Sequence, residues 1–128
     1  MEYEGDILRR KVPSGIIGMV HLKPLPGSPS FSGDIDAVER DAMADARNLI
    51  SGGVDAILIE NFGDVPFQKN VDAVTISAMT RIVRSIKELS DLPLGVNVLR
   101  NDAKAALAIA TATGAQFIRI NVHIGAMI

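Results

Sequence analysis

The chain has 128 residues, 48% of them hydrophobic, with a formal charge of −2 and no cysteine. That suits one ordinary core, gives no basic footprint for nucleic acid, and removes disulfides, thiolate metal sites and Cys nucleophiles, as fits a reducing compartment. With no apolar run near the ~18 residues of a membrane span and no signal-peptide pattern in the acidic N-terminus, a cytoplasmic protein without a transmembrane segment is expected.

Residues 1–14 read as a polar lead with a short helical turn around Ile7 to Arg10, stopped by Pro13. The first strand is expected over residues 16–22, ending where Pro24 and Pro26 forbid further ladder bonds. A Pro, Gly and Ser-rich loop, residues 23–33, is long for a βα connection, and such loops tend to be functional. Asp34 caps a helix with apolar positions Ile35, Val38, Ala42, Ala46, Leu49 and Ile50, terminated by Gly52-Gly53.

The second strand, residues 55–61, runs into a second long loop, residues 62–69. Asn70 is the expected cap of the next helix, whose stripe is Val71, Val74, Ala78, Ile82, Ile86 and Leu89. The third strand covers residues 94–99; Asn101 or Asp102 then caps a helix of small side chains over residues 103–113, closed by Gly114. The fourth strand, residues 117–123, places Ile118, Ile120 and Val122 on one face and Arg119, Asn121 and His123 on the other. Residues 53–60 and 114–121 form a faint repeat, with Glu60 opposite Asn121.

Four strands with three intervening helices call for a parallel α/β sheet with right-handed crossovers. Lys23 to Gly27 is not the phosphate turn of an open doubly wound sheet, because its prolines lack amide donors. A barrel fits better: each strand carries polar residues near its C-terminal end, where βα-barrel sites gather. Alternation turns His21, Glu60, Asn97, Arg119, Asn121 and His123 toward the interior. A closed barrel needs eight βα units in ~250 residues, so the expectation is one incomplete domain over residues 1–128. Its raw sheet edges would invite pairing with a second copy.

The segments GMVHLKPLPGSP (18–29), GGVDAILIENFGDVPF (52–67), LGVNVLRND (94–102) and FIRINVHIGAMI (117–128) resemble the BtpA family, also called BtpA/SgcQ. The resemblance covers nearly everything beyond residue 14, in four blocks that each lie at a strand end. It implies a (β/α)8 TIM barrel of the ribulose-phosphate-binding type, of which this chain carries about the first four βα units. The family's founding member is associated with photosystem I biogenesis, and other members occur in organisms that do not photosynthesise. A phosphate site in such barrels is usually built by the loops after strands seven and eight, in the half this sequence does not supply.

His21, Glu60 and His123 are the candidate catalytic residues, as acid/base groups near neutral pH. Lys23, Asn61, Asn97, Arg119 and Asn121 are the candidate substrate-binding residues. Against this, Lys23 can simply reach solvent, and Glu60 can be the structural counter-ion of Arg119. Asp64 reads as a turn former beside Gly63. No cofactor is expected; the alternative is a divalent cation on Glu60 with His21 and His123. Two functions follow: an enzyme acting on a small sugar- or phosphate-bearing molecule, or a non-catalytic assembly factor for a protein complex.

Overall fold

The computed structural model describes residues 15–121. In chain order the elements are β1 (Ile17–His21), α1 (Ile35–Gly52), β2 (Ala56–Glu60), α2 (Ala73–Lys87), β3 (Leu94–Asn97), α3 (Ala103–Thr113) and β4 (Phe117–Ile118). The strands form one parallel sheet in the order β1-β2-β3-β4. Strand order that follows the sequence, with a helix in every crossover, is the arrangement found within a βα barrel.

Alternation along the strands decides which face is covered. Val20, Ile57, Ile59, Leu94 and Val96 are each no more than 1% exposed and belong to one core with Val38, Ala42 and Ala46 of α1, Met79, Ile82 and Val83 of α2, and Ile109 of α3. The opposite face carries His21, Glu60 and Asn97, with Phe117 against Gly95, where an added Cβ would stand 2.1 Å from the ring. In α1, Asp34 Oδ1 accepts from the Ala37 N–H at 3.0 Å and Gly53 ends the helix in the left-handed conformation. Arg81 ties α2 to α1 through Glu39 at 2.7 Å and through Asp36.

The helix boundaries depart from the sequence reading at α2. Its N-cap is Asp72, not Asn70, because the Asp72 carbonyl accepts from the Thr75 and Ile76 N–H groups. Val71 precedes the helix, its N–H donating to Asp102 Oδ2 at 2.9 Å, and Val74 is exposed. The buried stripe therefore runs Thr75, Ala78, Met79, Ile82, Val83 and Ile86. Of the two candidate caps for α3, Asp102 fills the place, accepting from the Ala105 N–H at 2.9 Å, while Asn101 takes a positive φ of 71°. The fourth strand ends at Ile118, although the Arg119 N–H still bonds Val96 O at 3.0 Å. The lead segment and His123 lie outside the described residues.

The loops after β1 and β2 are pressed together at Gly63. Its N–H donates to Leu22 O at 2.9 Å, and a Cβ there would lie 2.6 to 2.8 Å from Pro24 N, Leu22 O and Lys23 C. All three are backbone atoms and none can swing aside. Gly63→Ala is therefore expected to destabilise by about 1–3 kcal/mol, the usual cost of overpacking. Urea denaturation measures it, and an unchanged midpoint would show that the loops are not held so closely.

Candidate functional site

The parallel register aligns three polar residues at the C-terminal ends of their strands: His21 stands opposite Glu60, and Glu60 opposite Asn97. Strands ~4.8 Å apart bring such side chains within mutual reach. Glu60 is the centre, its side chain 5% exposed. Asn97 Nδ2 donates to Glu60 Oε2 at 2.6 Å and to Asn121 Oδ1 at 3.1 Å. His21 Nε2 lies 3.8 Å from Glu60 Oε1, and an Arg119 guanidinium nitrogen 3.9 Å from Glu60 Oε2. Burying a carboxylate costs free energy that such partners offset. His21 and Arg119 keep about half of their side-chain surface in solvent, 48% and 52%, so the carboxylate is reached from an open side.

Asn97 is fully buried, and its Oδ1 has no hydrogen-bond partner among the described residues. Turning the amide over would set that oxygen against the Glu60 carboxylate, so the donor orientation is favoured. The result is a buried acceptor left unpaired beside a carboxylate.

Two expected members lie elsewhere. Beyond His21 the chain leaves β1, so alternation no longer directs Lys23 into the mouth. Its ammonium pairs with Asp41 of α1 at 2.5 Å, and that carboxylate holds the Lys23 pKa above its ordinary value. Asn61, 1% exposed, has its carboxamide taken up by backbone: Oδ1 accepts from the Leu99 N–H at 2.6 Å and Nδ2 donates to Leu99 O at 3.1 Å. His21, Glu60, Asn97, Arg119 and Asn121 come together; Lys23 and Asn61 do not join them.

The chain matches the model of the BtpA family over residues 12–128. It belongs to the BtpA family. An uncharacterised protein of Thermococcus kodakarensis is 53% identical over 86% of this chain and 42% of its own length. The photosystem I biogenesis protein BtpA of a Synechocystis species is 52% identical over 88% of the chain and 39% of its own length. SgcQ of Escherichia coli, named for the sgc region, is 41% identical over 81% and 39%. The chain thus spans about two fifths of the length of these relatives.

Two features of this BtpA-family site escaped sequence reasoning. The Phe62 ring stacks on His21 with centroids 4.5 Å apart and planes at 18°, fixing the imidazole beside Glu60. An aromatic directly after the polar end of β2 was the available signal. Asp64 does more than form a turn: Oδ1 accepts from the Leu25 N–H at 2.8 Å and so ties the first two βα loops together. Burial pushes its carboxyl above its ordinary pKa, against the lowering effect of the Leu25 N–H and the Asn61 amide.

The folded state therefore holds the Asp64 proton more tightly than the unfolded chain. This group's contribution is most favourable below the unfolded pKa and declines as pH rises through the folded one. Asp64→Asn keeps an acceptor for Leu25 without the half-buried charge. It is expected to be at least as stable as the wild type at pH 7 and to lose that part of the pH dependence, as urea denaturation at pH 4 and pH 7 would show.

Among the described residues no three His, Asp or Glu side chains converge as metal ligands, and no helix is long and apolar enough to cross a membrane.

Proposed function

We propose that the chain supplies about half of a (β/α)8 barrel of the ribulose-phosphate-binding type, and that the cluster around Glu60 performs acid/base chemistry on a small sugar- or phosphate-bearing substrate. The observation that supports this most is the single row His21, Glu60, Asn97: a nearly buried carboxylate flanked by an open-sided imidazole and an amide with an unpaired acceptor. In this reading Glu60 takes a proton from the substrate, His21 exchanges it with solvent, and Arg119 stabilises negative charge as it develops. Asn121 orients the substrate, and Asn97 holds Glu60 and Asn121 in place. His123, two residues beyond Asn121, is a further acid/base candidate.

That the Synechocystis relative is a photosystem I biogenesis protein favours a second reading, a non-catalytic factor in the assembly of a protein complex. One experiment separates the two. The positions matching His21 and Glu60 are changed to Ala in that relative, and photosystem I content and small-molecule binding are both measured. The enzymatic reading expects binding to fail in both variants. Binding and photosystem I content that both survive would exclude it.

A further inference from the structure

His21 is the least firmly held member of the Glu60 row. Its side chain keeps about half of its surface in solvent, and Nε2 stands 3.8 Å from Glu60 Oε1, beyond the reach of a hydrogen bond. The imidazole makes no hydrogen bond among the described residues. An ion pair at that distance and exposure does little to direct a ring. What does lie against it is Phe62, with centroids 4.5 Å apart and planes at 18°. We propose that Phe62 is the positioning residue of the site: stacking on its ring, and not a bond to Glu60, aims the His21 imidazole at the carboxylate.

Phe62 does not fill the core. It is 52% exposed and lies outside the core cluster, and a lone exposed apolar residue by itself signifies nothing. What sets it apart is how it is held. Asn61, just before it, bonds both the N–H and the carbonyl of Leu99, and Gly63, just after it, donates its N–H to Leu22 O at 2.9 Å. The backbone is thus pinned on both sides of the ring, to the exit of β3 and to the residue that follows His21. The Leu22 N–H in turn donates to Glu60 O at 2.9 Å, so His21, Glu60 and Phe62 share one hydrogen-bonded frame. Asn61, which takes no direct part in the cluster, acts on it through this frame.

Offset stacking is an arrangement that ring pairs favour, by about two- to tenfold over the unpaired state. That preference is enough to give a half-exposed imidazole, otherwise free to sample several rotamers, one prevailing direction. In the acid/base reading, on which this consequence rests, the gain is in proton transfer between Glu60 and His21, because misplacement by about 1 Å costs on the order of 10²-fold. The orientation itself does not depend on that reading.

The test is NMR of the intact, isotope-labelled protein with no ligand added. The chain has two histidines, and His21→Gln identifies which imidazole signals belong to residue 21. These signals are expected upfield of an unstacked histidine, in the ring current of Phe62. Glu60→Gln, by removing the facing carboxylate, is expected to shift them. In Phe62→Leu the upfield displacement is expected to vanish and the response to Glu60→Gln to shrink by about half or more. The urea midpoint of Phe62→Leu should stay close to wild type, since the ring is half-exposed. Phe62→Tyr, which keeps a ring, is expected to restore both the displacement and the response. A residue that only supports the loop would move the midpoint and leave the coupling between Glu60 and His21 unchanged. The proposal is overturned by His21 signals that Phe62→Leu leaves in place, by an undiminished response to Glu60→Gln in that variant, by Phe62→Tyr behaving like Phe62→Leu, or by a Phe62→Leu chain that does not fold. Failure of the acid/base reading shows elsewhere, as absence of small-molecule binding, and leaves these spectra as expected.

Discussion

Asn61→Ala is expected to destabilise the protein by about 2–4 kcal/mol, because it strips partners from both the N–H and the carbonyl of Leu99. Those bonds, at 2.6 and 3.1 Å, are buried. Each buried polar group left alone costs about 1–3 kcal/mol. Asn61→Asp is expected to do no better, since a carboxylate accepts from the N–H but repels the carbonyl. Equilibrium urea denaturation gives the number. A change below about 0.5 kcal/mol, typical of a surface substitution, would mean that Asn61 does not clamp the third strand's exit to the second.

Glu60→Gln is expected to have the opposite signature: fold retained, chemistry lost. The Gln Oε1 can still accept from Asn97, while Arg119 and His21 are half-exposed and find water when the charge is gone. Relief of the buried carboxylate's desolvation offsets part of what is lost, so stability should stay within about 1 kcal/mol of wild type. A reaction in which Glu60 carries the proton should fall by about 10²–10⁴-fold. A large loss of stability would instead make Glu60 the structural counter-ion of Arg119.

The α/β order and the central row of the site were legible because period-two alternation holds within a strand. His21, Glu60 and Asn97 each close a strand, and parallel pairing without offset brings them level. The rule's reach ends one or two residues further on. Asn61 and Lys23 stand just past the ends of β2 and β1, where the backbone turns and alternation says nothing about direction. Asn70 looked like a helix cap because its residue type suits one, but the chain from 66 to 71 is held by other ties, among them Val71 to Asp102 and Arg100 to Gln68. Such ties span some 30 residues of sequence, and no local pattern encodes them. The stacking of Phe62 on His21 is hidden for the same reason.

The central claim is that the row around Glu60 binds a small molecule. Its most direct test is a thermal-shift titration of the intact protein against sugars and sugar phosphates, run in parallel on Glu60→Gln. The claim predicts that at least one compound raises the wild-type melting temperature saturably and leaves the variant unmoved. Equal stabilisation of both proteins by every active compound, or of neither by any, would contradict it.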